Sequence, residues 1–288
     1  MERLKLEVRV AVKSITGHEE DGVDIPNDGW QFSRQFNLPP QFIVPQSIAV
    51  IQSGDIVVTS TTKGVVVLSK TGQVKGYFTN CRKETYDIAV TPDDRFIVPG
   101  KSKLLCYANN GKQLSTINIA DELTHTLTVD RCGRIIAYTP ENHNAPWSIH
   151  YADGTEISSF RSINNIPAYL ETTHAGDIVF SQLDIEQSEC TDVKLMDYNG
   201  GNVRVLNPPP QVTEWDPRDV CCSKQHSEIY VTNNGPPTAV YKYTAQGAYV
   251  SCVTTDVRDS SIIALSPDEK ELFVVEQRHN VVKIFQWK

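Results

Sequence analysis

Seven histidines, His18, His125, His143, His150, His174, His226 and His279, are the side chains best suited to bind a metal or relay protons near neutral pH. No two of them stand in the His-Glu-x-x-His spacing that sets two ring nitrogens on one helix face. His143 and His150 come closest, flanking one strand-to-strand loop, where a solvated histidine is the commoner state. No Gly-x-Ser-x-Gly elbow presents a serine nucleophile, and no Gly-x-x-x-x-Gly-Lys loop offers backbone N–H groups to a phosphate. Cys221-Cys222 stands where two earlier segments carry Ala49-Val50 and Ala89-Val90, so it reads as a small buried pair rather than a nucleophile. What remains is chemistry for recognition: Tyr86, Asp87, His125, Tyr169 and Arg218 at recurring positions, and Asp184, Glu186 and Trp215 in two long connectors. Tyrosine, tryptophan and arginine are the usual anchors of interfaces because they join a large contact area to a polar or charged group. No catalytic residue, metal ligand or cofactor is expected, and the chain reads as a non-enzyme.

The elements that must position these residues repeat. Ile48-Ala49-Val50, then Ser53-Gly54-Asp55 and Ile56-Val57-Val58, return as Ile88-Ala89-Val90, then Pro92-Asp93-Asp94 and Phe96-Ile97-Val98. Further copies lie at Leu127 to Ile136, Leu170 to Val179, Val220 to Val231 and Ile263 to Val275, with Ile56, Phe96, Ile135, Ile178, Ile229 and Leu272 recurring every 39 to 51 residues. Such a period changes the whole architecture and must be read first. Each unit continues with an apolar run and a second turn, at Thr71-Gly72, Asn110-Gly111, Asp153-Gly154, Asn199-Gly200 and Gln246-Gly247, and ends on Phe78, Ile117, Phe160, Leu206 or Val253. Asn-Gly and Asp-Gly provide the positive φ of a tight hairpin turn. Four strands per unit, repeated radially, predict an all-β, six-bladed β-propeller with four antiparallel strands per blade. A two-sheet sandwich is the alternative, but it does not require a four-strand period kept through six copies.

The sixth unit has strands at Ile263 to Leu265, Leu272 to Val275 and Val281 to Trp287, and then the sequence ends, one strand short. Gln31 to Phe36 resembles the missing fourth strand, which predicts that an N-terminal strand closes the last blade and pairs two otherwise open edges. The division expected is an N-terminal extension over 1–29 and a propeller over 30–288. Within the extension Leu4, Leu6, Val8, Val10 and Val12 alternate with Lys5, Glu7, Arg9 and Ala11 as in a strand, and an acidic loop follows over 18–28.

Forty per cent hydrophobic and 22% charged residues describe a globular chain, and no apolar run approaches a membrane span. The charged start Met1-Glu2-Arg3-Leu4-Lys5, seven cysteines without a Cys-x-x-Cys pair, and the absence of an Asn-x-Ser/Thr acceptor predict a soluble, cytoplasmic protein with free thiols. A net charge of −8 disfavours contact with a phosphate backbone.

Pro45 to Val58, Gly64 to Gly72 and Phe78, with an echo at Tyr86 to Val98 and Leu104 to Gly111, resemble the NHL repeat. The chain over 30–288 looks like the C-terminal propeller of tripartite-motif proteins. The Asp-x-x-Asn-x-Arg-Ile segment of strong NHL repeats is missing, with Thr61-Thr62-Lys63-Gly64-Val65-Val66 in its place. The resemblance implies a scaffold or recognition module that binds a protein or peptide, as part of a larger tripartite-motif-type protein whose RING, if any, would lie outside this chain. Loops between blades and between second and third strands open on one face, so the residues just before each first-strand core ring the channel mouth: Gln46-Ser47, Tyr86-Asp87, His125-Thr126, Ala168-Tyr169, Arg218-Asp219 and Ser261-Ile262. Two long connectors on that face, 181–192 with Asp184 and Glu186 and 207–217 with Trp215, make it acidic, which suits a basic peptide. Trp147 either joins this patch or is buried at the start of its strand. Two alternatives stand beside this reading. NHL-like propellers also bind RNA, though these loops lack the positive charge that requires. Six-bladed lactonases hold calcium in the channel, but Gln46 and Ser47 occupy the region of their leading glutamate. No membrane partner is expected, and the chain is expected to be a monomer.

Overall fold

The computed structural model describes residues 29–78, 87–100, 103–118, 126–139, 146–161, 166–184, 189–259 and 261–288. Within them the chain forms six four-stranded antiparallel sheets and no helix. The first strand, β1 (Trp30–Asn37), is held back for the last sheet. Blade 1 is β2 (Pro45–Val50), β3 (Ile56–Ser60), β4 (Gly64–Leu68) and β5 (Val74–Phe78). Blade 2 is β6 (Ala89–Val90), β7 (Phe96–Gly100), β8 (Lys103–Tyr107) and β9 (Gln113–Asn118). Blade 3 is β10 (Thr126–Val129), β11 (Ile135–Tyr138), β12 (Pro146–His150) and β13 (Glu156–Arg161). Blade 4 is β14 (Pro167–Thr172), β15 (Ile178–Asp184), β16 (Glu189–Met196) and β17 (Arg204–Val205). Blade 5 is β18 (Pro217–Cys222), β19 (Glu228–Asn233), β20 (Ala239–Thr244) and β21 (Tyr249–Thr254). Blade 6 is β22 (Ser261–Leu265), β23 (Glu271–Glu276) and β24 (Val281–Trp287), completed by β1.

Residues 1–28, with the strand pattern over 4–12 and the acidic loop, lie outside the described residues. The closing strand pairs from Trp30↔Trp287 to Asn37↔Val281, with one bulge between Phe32 and Arg34, so the ring is sealed by backbone hydrogen bonds between the two ends of the propeller. Trp30, buried to 2% exposure, stands edge-on to Tyr230 of blade 5, and the core shared by blades 1 and 6 interleaves Val50, Ile56 and Val58 with Ile262, Phe273 and Ile284.

Successive blades are keyed by one recurring contact. The apolar residue ending a fourth strand sits on the glycine in the last turn of the next blade: Phe36 on Gly72, Phe78 on Gly111, Ile117 on Gly154, Phe160 on Gly200 and Leu206 on Gly247. Gly111, at φ +79°, shows why a side chain is excluded, because a Cβ there would fall 1.3 Å from Phe78 Cε1. The pairing of a terminal apolar residue with Asn-Gly or Thr-Gly in the sequence is thus an inter-blade contact as well as a hairpin signal.

Two local readings change. The segment 181–192, expected as a long loop, is mostly strand: β15 and β16 stay paired out to Asp184↔Glu189 because Leu183 and Cys190 still face each other across the ladder. Trp147 is wholly buried in β12, stacked on Phe160 at 5.9 Å and edge-on to Tyr138, so it belongs to the core.

Candidate functional site

The first strands surround a central channel whose cavity, about 340 Å³, is lined at one end by Ser47, Asp87, Tyr169 and Asp219 and at the other by Arg131, Lys224 and Glu269. Two aspartates one residue before the leading apolar position, Asp87 in blade 2 and Asp219 in blade 5, tie each blade to the next. Asp87 Oδ1 accepts from the Ser47 hydroxyl at 2.7 Å and from the Ile88 N–H at 2.8 Å, while Oδ2 accepts from the Thr126 hydroxyl at 2.6 Å and the Leu127 N–H at 2.9 Å. One carboxylate therefore joins blades 1, 2 and 3. Asp219 repeats the scheme, accepting from its neighbour Val220 N–H at 2.8 Å and from Ile263 N–H of blade 6 at 2.7 Å. Burial pushes the Asp87 carboxyl up to about 6, against the four hydrogen bonds that favour its charge, and raises Asp219 well above the carboxylate range with the fields of Asp87 and Glu171 added.

Tyr169 crosses the channel. Its ring packs against the core of blades 1 and 6 although its strand belongs to blade 4, so it narrows the mouth. Burial raises its hydroxyl pKa, and Asp219, Cys190, Arg218 and Asp87 are the charged or ionisable groups whose fields it feels. Of the recognition residues expected from sequence, Asp87 and Tyr169 line the channel together, and Arg218 is close enough for its charge to act on the Tyr169 hydroxyl. Arg218 Nε lies 3.4 Å from Asp216 Oδ1, an ion pair at the rim between blades 4 and 5. Asp216 is raised by burial, eased by Arg218, and raised further by Glu189 and Glu214. Cys190, pushed up to about 11 by burial, is held as a neutral thiol beside this cluster.

Asp184 ends β15 opposite Glu189, on the outer side of the same rim. Trp215 is half-buried against Tyr241 at 6.4 Å, so much of its ring is spent on the flank of blade 5. Tyr86, His125 and Glu186 lie outside the described residues. The sequence sets Asp219 in the ring at the channel mouth without assigning it a role, and gives no sign of Asp216. The signal for Asp219 was available, since Tyr86-Asp87 and Arg218-Asp219 occupy the same register in blades 2 and 5. At the far end of the channel Glu171 Oε1 accepts from the Thr128 hydroxyl at 2.7 Å and the Lys224 ammonium at 2.9 Å, a bridge from blade 4 to blades 3 and 5 with no counterpart in the repeat pattern.

The donor set does not fit a resident divalent cation. Among the described residues no three His, Cys, Asp or Glu side chains are grouped to hold a metal ion, and the channel carboxylates already face N–H, O–H and ammonium donors of this chain.

No protein-family model matches the chain, and no curated protein matches it in sequence. Solved structures do match in shape. A gluconolactonase from Xanthomonas campestris superimposes with a TM-score of 0.67 at 13% identity, covering 93% of this chain and 98% of its own. A second chain, provisionally assigned as a gluconolactonase, gives 0.64 at 11% identity over 91% of this chain and 94% of its own. A chain of a nidogen/laminin complex gives 0.57 at 13% identity over 73% and 80%. At these identities the likeness establishes the class of fold, a six-bladed β-propeller, and the NHL resemblance gains nothing from it. It also corrects one expectation. The lack of a catalytic signature predicts a non-enzyme, but this scaffold is shared with gluconolactonases, so the fold does not support that exclusion. In a six-bladed channel, side chains that meet come from residues far apart in sequence, so short-range spacing is no guide to what the channel does. Among the described residues no helix is long and apolar enough to cross a membrane.

Proposed function

We propose that the mouth face over blades 4 and 5 recognises a protein or peptide that presents lysine or arginine side chains, in the manner of the NHL-like propellers the repeats resemble. The observation behind this reading is Asp216, a partly buried carboxyl held above its ordinary range by burial and by Glu189 and Glu214, with Arg218 3.4 Å away as its partial counterion. A second cation brought by a partner relieves that repulsion, so the rim gains favourable energy from a ligand it does not obtain alone. Tyr169 offers an aromatic surface at the centre of the same face. The test is binding of lysine-rich peptides to the intact chain by fluorescence anisotropy. Glu189→Gln and Asp216→Asn are expected to weaken binding by about 1 kcal/mol each with melting unchanged. Peptides that bind equally to both variants and to the parent would defeat the reading.

A second reading has its own support. Asp87 combines a carboxyl near pKa 6, where a general base works best at neutral pH, with a place in the channel of a fold shared with gluconolactonases. Proton release from gluconolactone above the spontaneous rate, lost in Asp87→Asn, would move the channel from recognition to hydrolysis.

A further inference from the structure

Blade 4 departs from the other five at its outer edge. In blades 1, 2, 3, 5 and 6 a fourth strand of five to eight residues covers a third strand of five to seven. In blade 4 the third strand β16 has eight residues, but the outer strand β17 has two and pairs only with Lys194 and Leu195. One further bond, from the Leu206 N–H to the Val193 carbonyl at 2.8 Å, ends the coverage. Among the described residues no strand pairs with the outer side of β16 from Glu189 to Asp192, where Glu189 and Thr191 are exposed. The sequence supplies the cause. Pro208-Pro209-Pro210 has no N–H to donate to a ladder, so the chain leaves blade 4 after Leu206 and crosses to blade 5. There the Asn207 carbonyl accepts from the Tyr243 hydroxyl at 3.2 Å and Gln211 Nε2 donates to the Tyr249 hydroxyl at 2.9 Å.

An uncovered edge next to a well-formed ladder is a template for one more strand. The surrounding side chains describe the strand it suits. Glu189 and Asp192 lie on the edge itself, Asp184 faces Glu189 from β15, and Glu214 and Asp216 stand on the adjoining connector. Acidic residues alone could serve only to keep an edge soluble. Here, however, a buried acceptor of the same region lacks a hydrogen-bond donor: Oε1 of Gln182, a residue 8% exposed and paired with Asp192, while the nearby Asp216 carboxyl is met by Arg218 Nε at 3.4 Å. An unpaired buried acceptor beside a carboxylate cluster suits N–H groups carrying positive charge.

We infer that an extended, basic segment of a partner protein adds to blade 4 as a strand along Glu189–Val193, its lysine or arginine side chains reaching Glu189 and Asp216. This rests on the reading of the mouth face given above and specifies its mode: main-chain bonds to β16 hold the segment, and the acidic rim selects its charge. Strand addition gains affinity from the backbone and specificity from alternate side chains, so the ligand should alternate basic with small or apolar residues.

The experiment uses the full chain and a displayed library of random peptides of roughly a dozen residues, the best binder then being synthesised. Enrichment of peptides rich in lysine and arginine is expected, and amides of 189–193 should exchange more slowly in the complex. N-methylation of one alternating set of peptide nitrogens should weaken binding about tenfold or more, and of the other set about twofold or less, since only one set faces β16. Glu189→Lys and Asp216→Lys should abolish binding; the exposed Glu189 serves if Asp216→Lys does not fold. Binding that is lost with charge reversal but equally sensitive to both methylated sets overturns strand addition and leaves the mouth reading standing. Binding indifferent to charge reversal overturns both, and a selection that yields no basic peptide overturns the proposal.

Discussion

Asp87 shows how one side chain can be legible in sequence while its partners are not. Its position just before the apolar core of a first strand placed it correctly at the channel mouth, where a carboxylate looks like a contact for a ligand. Its oxygens instead serve three blades of its own chain, through Ser47, Ile88, Thr126 and Leu127, and no spacing rule reveals that a partner hydroxyl forty residues away will be within 2.7 Å. The energetic consequence can be measured. In the folded chain this carboxyl titrates near 6, and in the unfolded chain near about 4. Between those values the folded state binds the extra proton, so the contribution of Asp87 to stability is full below about pH 4 and is lost as pH rises through about 6. Asp87→Asn cannot titrate, and its amide turns two N–H groups toward two other donors. At pH 7 the variant should be less stable by about 1 to 3 kcal/mol. The gap between parent and variant in urea unfolding should widen by about 2 kcal/mol on going from pH 7 to pH 4. A gap that stays constant over that range would show an ordinary carboxyl at this position.

At the scale of elements, the turns made the strands readable. Asn-Gly, Asp-Gly and Thr-Gly end hairpins in blades 1 to 4, and the same glycines receive the terminal apolar residue of the preceding blade, so one sequence signal reports both the local turn and the neighbour. Phe36 on Gly72 extends this contact across the closure, which is why β1 could be assigned to the last blade from its resemblance to other fourth strands. The extension of β15 and β16 was not readable, because Gln182, Asp184, Glu189 and Asp192 are polar residues on a ladder half open to solvent and share their composition with loops. Closure by β1 has a direct test. Deleting residues 1–37 removes the partner of β24, the Trp30 contact with Tyr230 and the Phe36 key, leaving Val281 to Trp287 as an open edge. Aggregation or a loss of several kcal/mol is expected, because the core between blades 1 and 6 is no longer sealed. Deletion of 1–13 alone should be much milder. Equal melting of both truncations and the intact chain would mean that backbone pairing at the seam contributes little.

For the whole molecule, the ring explains both what the sequence conveyed and what it withheld. A propeller is specified by repetition, and repetition is visible in one sequence; its channel is specified by the six places where repeats differ, and those differences converge only in space. Asp216, Glu189 and Glu214 illustrate this, coming from the third strand of one blade and the connector to the next. Their common field, on a chain of net charge −8, acts at a distance that a single hydrogen bond does not, so its signature should be kinetic. For a basic peptide, association should slow by roughly tenfold or more when ionic strength rises from about 0.05 to 0.5 M, as the screening length falls from about 14 to about 4 Å. Glu189→Gln combined with Glu214→Gln should lower the association rate at low salt and flatten its salt dependence while changing dissociation much less, because exposed rim charges steer encounter more than they hold the complex. Stopped-flow traces of a labelled lysine-rich peptide separate the two rates. If salt and the paired substitution act on dissociation alone, the acidic rim grips the ligand directly, and the favourable energy lies in desolvated contacts with Asp216 rather than in the field of the disc.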